Sequence, residues 1–337
     1  MDPALIIEWL IKSVVLVLVM TAGFAYVTLY ERKVLARMQV RLGPNRAGPA
    51  GFLQPIADAV KLIFKEELIP ANANKFIFVI APVITVIPAL VITAVIPWGA
   101  SIELFGRTIS PDLAANLNVG VLWILSVTSV SVYGITLAGW SSNNKYAMLG
   151  GLRATAQMIS YELALGLAYV GPILLAGSMS LNEIVNAQGT VPFLVYQPLT
   201  FIIFIAAALA EINRAPFDMP EAEQELTAGY HVEYSSMKFA LFFMAEYIKA
   251  IAVSMIGATL FLGGPRWPFP AEALWGLMGP IQLFAKTALS LFVIIWIRAT
   301  LPRIRYDRLM ALGWKIAFPV ALLNVIVTAI AVLLVGG

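Results

Sequence analysis

The feature that most constrains this chain is a recurring apolar stretch of roughly 20 residues, long enough to cross a bilayer as one helix. Hydrophobic residues make up 60% of the 337 positions and charged residues 12%, too few charges to cover a soluble globule of this size. The sequence therefore predicts an all-α integral membrane protein that forms a single membrane domain over residues 1–337.

Hydropathy predicts about eight transmembrane helices. The fifth is the weakest, because Pro198 opens it and Glu211 closes it early. The predicted spans lie near residues 5–30, 76–97, 118–139, 156–177, 197–212, 239–262, 280–299 and 314–335. The predicted inner loops cover residues 31–75, 140–155, 213–238 and 300–313. The N-terminus lacks a basic region and a cleavage pattern, so the first apolar stretch is expected to be a retained helix.

Basic residues predict the orientation of the chain. The loops after spans one, three, five and seven hold 17 of the 22 Lys and Arg residues. By the positive-inside rule these loops face the cytoplasm, or an organelle's matrix or stroma, and both termini face outward. We therefore expect a multi-pass protein of a bacterial plasma (inner) membrane, with an organelle inner membrane as the alternative.

The first inner loop contains an apolar stripe at helical spacing, which predicts an amphipathic helix on the inner membrane surface. The stripe consists of Leu53, Ile56, Ala57, Val60, Ile63 and Phe64. The basic residues that precede it, among them Arg32, Arg37, Arg41 and Arg46, either bind anionic headgroups or only set the topology.

Acidic residues concentrate between positions 211 and 238, where six of the chain's 19 acids lie: Glu211, Asp218, Glu221, Glu223, Glu225 and Glu233. Two further acids, Glu162 and Glu246, fall inside predicted spans. An ionisable group at mid-bilayer costs on the order of 2.5–3.5 kcal/mol, so it usually faces a bundle interior or water. The pattern is compatible with a solvated acidic loop or with a proton relay, and Glu246 with Lys249 is also compatible with a structural ion pair.

The chain has no cysteine and a single histidine, His231. It therefore cannot ligate an iron–sulfur cluster through thiolates or hold a bis-histidine haem. We expect no metal on this chain, and any electron transfer near it would use a redox centre on another chain or a diffusible molecule. Nothing in the charge pattern suggests nucleic acid.

Four loop regions resemble one family, the H subunit of NADH-quinone oxidoreductase, which is the quinone-site heel of the membrane arm of respiratory complex I. The resembling stretches run from ERKVLARMQVRLGPNRAG to Glu66, from GWSSNNKYAMLGG to Glu162, through EINRAPFDMPEAEQELTAGYHVEYS, and through RATLPRIRYDRLMALGWK. They follow the family's order and spacing over nearly the whole chain. All four lie on the predicted inner face.

This resemblance implies a membrane subunit that helps form a quinone chamber where the membrane arm meets the peripheral arm. Quinone would be bound as a substrate, and the flavin and iron–sulfur clusters would lie on partner subunits. The implied partners are the other membrane subunits of complex I, the peripheral quinone-site subunits and membrane lipids, and no residue of this chain alone would be catalytic. The residues implied in the chamber and the peripheral contact are Arg32, Arg37, Arg41, Arg46, Phe52, Arg214, Phe217, Arg298 and Arg303.

The resemblance also implies an acidic relay that links quinone reduction to proton translocation. Its members here would be Glu162, Glu211, Glu221, Glu223, Glu225, Glu233 and Glu246. Some relatives carry a further carboxylate in the third span, but this chain has no acid between Asp112 and Glu162. Ser126, Thr128, Ser129 and bound water would have to substitute for it.

Three other functions remain open from the sequence. The chain could be the equivalent membrane foot of a membrane-bound hydrogenase or a ferredoxin-dependent complex. A stand-alone ion transporter is the alternative from another class, and it predicts activity in the single purified chain. A purely structural anchor predicts that neutralising Glu211 or Glu162 leaves turnover intact.

Overall fold

Helices dominate the computed structural model, which describes residues 3–104, 107–189, 191–219, 229–273 and 276–335. The helices are α1 (Pro3–Met38), α2 (Gln54–Phe64), α3 (Lys75–Ile92), α4 (Gly120–Ser141), α5 (Lys145–Ala176), α6 (Leu181–Ala187), α7 (Phe193–Tyr196), α8 (Pro198–Glu211), α9 (Ser236–Phe261), α10 (Met278–Thr300), α11 (Tyr306–Ala311) and α12 (Phe318–Val335). Two three-residue strands, β1 (Ile102–Leu104) and β2 (Arg107–Ile109), form an antiparallel hairpin between α3 and α4. The predicted all-α class is confirmed, with this hairpin as its one small exception in the described part of the chain.

Seven helical segments of the described residues are long and apolar enough to cross a membrane. They are Ile6–Met38, Lys75–Val95, Gly120–Ser141, Lys145–Ala176, Ser236–Phe261, Met278–Thr300 and Tyr306–Leu334. The weakest predicted span, near residues 197–212, corresponds to α8, which has 14 residues. At 1.5 Å per residue α8 is about 21 Å long, shorter than the roughly 30 Å hydrocarbon core.

Helix extends into several segments that the sequence predicts as inner loops. The first helix continues to Met38, and α5 already begins at Lys145, where Asn144 caps it by accepting a hydrogen bond from the Tyr146 amide (2.9 Å). Both extensions contain Arg, Lys, Leu and Met, which favour helix whether or not the segment lies in lipid. Charged residues at these positions therefore sit on rigid helices.

The centre of the bundle is α9, about two thirds of whose apolar stretch is buried. It packs against α1, α3 and α10, while α3 lies along α4 and α4 along α5. By contrast, only 6% of the corresponding stretches of the first and last spanning helices is buried. The outer helices thus present apolar faces away from the bundle, and the core lies around α9.

The predicted amphipathic helix is present as α2, with Ile56, Val60 and Ile63 exposed along one side. A tight turn precedes it, where Gly51 has a φ of +79°. A Cβ at this position would lie 2.2 Å from the Pro44 carbonyl oxygen, so the turn requires glycine. The turn places α2 beside the C-terminal end of α1, which is the predicted inner end.

A π-helical segment, Leu312–Ala317, joins α11 to α12. The hydroxyl of Tyr161 donates to the Leu309 carbonyl (3.0 Å), and the Tyr161 ring packs against Gly313. In a continuous α-helix the Leu309 carbonyl would accept a hydrogen bond from the Gly313 amide. Because the Tyr161 hydroxyl competes for this carbonyl, a local π-turn is favoured. The last span is thereby anchored to α5.

Candidate functional site: a buried chain of ionisable residues

A buried ion cluster joins α1, α9 and α10 to the turn after α8. Glu31 forms an ion pair with Arg298 and lies 3.7 Å from Arg214. Arg214 also pairs with Glu246, and its guanidinium carbon lies 4.4 Å from the ring centroid of Tyr247. The Tyr247 hydroxyl donates to Glu31 (2.6 Å). Among the described residues, two carboxylates thus meet two guanidinium groups, and their formal charges cancel.

The turn that carries Arg214 is held by Gln157 of α5, which is fully buried. Its amide nitrogen lies within hydrogen-bond distance of three acceptors: the carbonyls of Ala210 and Phe217, both at 2.7 Å, and the side chain of Asn213 at 3.2 Å. These contacts close the turn at both ends. Gln157 therefore fixes where the Arg214 guanidinium enters the cluster.

A second group of charged residues lies deeper in the bundle. Lys249 on α9 donates to the Ser131 hydroxyl (2.5 Å), and its charge interacts with Glu211, Glu162 and Glu246. Glu246, which the sequence also allowed to form a structural pair with Lys249, pairs with Arg214 in the structure. Glu211 is buried at the end of α8, and its Oε2 atom has no hydrogen-bond partner among the described residues.

Glu162 on α5 accepts a hydrogen bond from the Ser129 hydroxyl on α4. Ser129 is one of the residues predicted to replace the carboxylate that this chain lacks in the third span. Of the other two candidates, Thr128 is buried and Ser126 is exposed, and both hydroxyls donate to backbone carbonyls of their own helix. The hydroxyl in contact with the acid is therefore that of Ser129.

Two water-sized cavities lie beside Glu211 and Lys249. One, of about 20 Å³, is lined by Glu211, Glu246 and Lys249 together with Thr85, Asn213 and Tyr230. The other, of about 10 Å³, is lined by Glu211 and Lys249 together with Thr128 and Tyr169. A cavity needs roughly 10–15 Å³ to hold one water molecule, and both are bordered by polar groups. Their position allows water to bridge the carboxylates.

Two larger cavities follow α1. An apolar cavity of about 600 Å³ lies between α1, α9 and α10, lined by residues that include Gly23, Tyr26, Met255, Phe284 and Leu291. A second, of about 690 Å³, lies at the C-terminal, predicted inner end of α1 beside Lys33, Arg37 and Phe292, and is called the inner cavity below. Tyr30 lines both. Their volumes are typical of sites for small organic ligands.

The structure brings some predicted chamber residues together and separates others. Arg214 and Arg298 meet in the ion cluster, and Arg37 borders the inner cavity. The remaining predicted residues lie near the surface turn or pack elsewhere. Arg32 pairs with Asp58 (2.7 Å), Arg41 bonds Gln39 (2.7 Å), Arg46 and Phe52 are exposed, Phe217 packs on Tyr161, and Arg303 lies near Met219 (3.8 Å).

The predicted relay is likewise divided. Glu162, Glu211 and Glu246 lie along the buried chain described above, whereas Glu233 accepts a hydrogen bond from the Asn144 side chain (2.7 Å) at the start of α5. Glu221, Glu223 and Glu225 lie outside the described residues. Among the residues that are described, no three His, Cys, Asp or Glu side chains are grouped as a metal site.

Sequence reasoning missed Glu31, the acid that connects α1 to two arginines. In the sequence it stands at the predicted end of the first span, directly before a basic run, where it looks like an ordinary flanking charge. The usable signal was its place on the continuing helix, about two turns before Met38, where helical spacing decides whether an acid faces the bundle or water.

The fold and site define a class: a multi-pass membrane protein with a buried chain of ionisable residues beside ligand-sized cavities. The sequence pattern of the NADH dehydrogenase family matches residues 11–329, and the chain belongs to this family. It is 50% identical to the H subunit of the NADH-quinone oxidoreductase of Thermomicrobium roseum over 97% of this chain and 96% of the relative. It is 51% identical to an H subunit of the same enzyme from Geobacter metallireducens over the same shares, and 49% identical to one from Syntrophobacter fumaroxidans over 96% of each.

Proposed function

We propose that this chain is a membrane subunit of a proton-translocating NADH:quinone oxidoreductase. In this role it helps form the quinone chamber at the junction with the peripheral arm. It also links quinone reduction to proton translocation through its buried acids. Family membership and the names of the relatives support the assignment to the complex.

The observation that carries the proposal is the position of the ion cluster between the cavities and the deeper acids. Tyr30, which borders both large cavities, directly precedes Glu31, and Glu31 pairs with two arginines, of which Arg214 reaches Glu246. Glu246 in turn borders the water-sized cavity shared with Glu211 and Lys249. A change of charge in the cavities would therefore reach the acids through one connected set of charges.

The two large cavities suit a quinone because one has an apolar lining and the other also contains basic side chains. The cavity of about 600 Å³ is almost wholly apolar, as an isoprenoid tail requires, and it lies on the side of α1 that is exposed. The inner cavity adds Lys33 and Arg37 to Tyr30, which lines both cavities, and these groups can hydrogen-bond a polar headgroup. We infer that quinone enters along α1 with its headgroup toward the inner end.

The test is to purify the tagged chain from native membranes in mild detergent, identify the proteins that accompany it, and assay NADH-driven quinone reduction. Glu211→Gln removes a buried acid of the relay. We expect turnover to fall on the order of tenfold, which corresponds to about 1.4 kcal/mol of added barrier. The matched control is Glu183→Gln, which changes an exposed acid on α6 and should leave turnover unchanged.

Recovery of the chain with nickel hydrogenase subunits and without quinone reduction would replace this proposal with a hydrogenase foot. Ion flux through the single chain in liposomes would favour a transporter. Normal turnover in Glu211→Gln would support a structural anchor.

A further inference from the structure

Lys249 is a buried cation whose surroundings differ from those of an ordinary structural lysine. Its ammonium group donates to the Ser131 hydroxyl oxygen at 2.5 Å. Ser131 in turn donates its own proton to the Thr128 carbonyl (2.7 Å), so the Ser131 oxygen presents a lone pair to Lys249. The remaining charge on Lys249 is balanced by carboxylates that lie near it without direct contact.

Lys286 provides the comparison within the same chain. It also lies in a predicted span, but its ammonium group donates to two backbone carbonyls, Leu262 (2.5 Å) and Gly264 (2.6 Å). These carbonyls follow the end of α9, where a cation is favoured by the helix dipole. Lys286 is therefore explained by helix capping, and Lys249 is not.

Lys249 borders both water-sized cavities, and Glu211 borders them with it. Glu246 opens onto the larger of the two. Counted over Lys249, Glu211 and Glu162, full ionisation leaves one negative charge in excess in a buried site. The set therefore holds one more carboxylate than cation, and a carboxylate is a group that can accept a proton.

We propose that Lys249 carries protons in this relay, between Glu246 and Glu211. The inference rests on the proposed function and adds a base that the acidic residues alone do not supply. In the transfer, an N–H bond of the ammonium group breaks and, through water in the cavities that both residues line, an O–H bond forms on the Glu211 carboxylate. The neutral amine then takes a proton, through water in the larger cavity, from the carboxylic acid form of Glu246, which becomes ionised. No electrons are transferred in these steps.

The groups that face Lys249 lie on several helices and on the loop before α9, and they set the pH response of the transfer. They are Thr85 on α3, Thr128 and Ser131 on α4, Glu162 and Tyr169 on α5, Glu211 on α8, Tyr230 in the loop, and Glu246 on α9 itself.

The test compares Lys249→Arg with Lys249→Met in the whole complex in native membranes. Arginine keeps the positive charge but does not release its proton, whereas methionine removes the charge at similar volume. We expect both variants to lower quinone-linked proton translocation on the order of tenfold or more, as loss of a proton-transfer group does. Lys286→Arg, the matched control, should translocate protons like the unchanged complex.

Wild-type translocation by Lys249→Arg with impairment of Lys249→Met would overturn the proposal, because only the charge would then matter. If neither variant assembles, the Ser131→Ala variant tests the role of Lys249 instead. It removes the acceptor that orients the ammonium group, so the pH profile of translocation should shift, and an unchanged profile refutes the role of Lys249. Copurification of the chain with the quinone reductase tests the proposed function separately, because it does not depend on proton transfer by Lys249.

Discussion

At the scale of single residues, the most consequential arrangement is the sharing of Glu31 between two arginines and a tyrosine. Removal of one partner from a buried ion pair leaves an uncompensated charge, which costs more than the pair itself contributes. Within the described part of the chain Arg298 pairs with Glu31 alone, whereas Arg214 retains Glu246. The loss of Glu31 should therefore act mainly through Arg298.

We predict that Glu31→Gln destabilises the membrane part of the complex by about 1–3 kcal/mol, less than a fully buried ion pair would cost, because the Arg298 side chain is 31% exposed. The measurement is the midpoint of heat inactivation of the purified complex in detergent. Glu8→Gln is the control on the same helix, since Glu8 is exposed and pairs with Lys12 (2.7 Å). A surface pair contributes about 0–1 kcal/mol, so equal midpoints for the two variants would contradict the prediction.

A second residue prediction concerns Asp112, in the segment between α3 and α4. Burial raises the pKa of this carboxyl above its ordinary value, although the Trp98 and Gly99 amides and the Lys12 and Arg266 charges lower it. The folded state thus binds the proton more tightly than the unfolded chain. The contribution of Asp112 to stability is intact below the unfolded pKa and is lost as the pH rises through the folded pKa.

Asp112→Asn should remove this dependence of stability on pH. The substitution keeps the side-chain oxygen that accepts a hydrogen bond from the Trp98 amide (2.7 Å). We expect the midpoint of heat inactivation to differ little from wild type near about pH 4, and to exceed wild type near about pH 7. A difference that is the same at both pH values would show that ionisation of Asp112 is not responsible.

Residue types alone identified Glu162, Glu211 and Glu246, because an acid in an apolar span is unusual whatever its partners are. They could not identify Glu31 or Gln157. Glu31 gains its role from segments that are distant in the sequence, and Gln157 from carbonyls of a turn on another helix. Such roles depend on tertiary contacts that no local pattern records.

At the scale of elements, close approach of backbones determines how α4 and α5 pack. Gly139 faces Gly151, and a Cβ on Gly139 would lie 2.6 Å from the Ala147 carbonyl oxygen and 3.2 Å from the Gly151 Cα. Small residues allow such contact between helices in a membrane. The contact sets the separation of the two helices that carry Ser129 and Glu162.

We predict that Gly139→Ala lowers the stability of the membrane part by about 1–3 kcal/mol, the usual cost of overpacking. The amount of assembled complex in the membrane and its midpoint of heat inactivation should both decrease. Gly166→Ala on α5 is the matched control, because the nearest atom to a new Cβ there is 3.9 Å away. A similar loss in both variants would attribute the effect to helix glycines in general.

Hydropathy located the apolar helices well but not their ends. Apolar residues mark the part of a helix that lies in lipid, while hydrogen bonds and caps determine where the helix stops. The extension of α1 to Met38 and the start of α5 at Lys145 therefore become visible only in the structure. The amphipathic helix α2 was predictable because its stripe is a local pattern.

At the scale of the whole molecule, the positive-inside orientation remains a prediction that the absence of cysteine makes simple to test. Lys65→Cys, after α2, and Ser101→Cys, before β1, each introduce one exposed thiol. We expect a membrane-impermeant maleimide to label Lys65→Cys only in inside-out vesicles and Ser101→Cys only in right-side-out vesicles. The reverse pattern would invert the orientation.

Because α9 is the most deeply buried of the spanning helices, it should be the last of them to open locally to solvent. Amide hydrogens exchange with solvent through local openings, and the segments with the most buried contacts open least often. The helix that carries Glu246, Tyr247 and Lys249 should thus be the slowest to exchange deuterium, and α1 and α12 among the fastest. Its ionisable side chains would then change protonation on a backbone that itself stays closed.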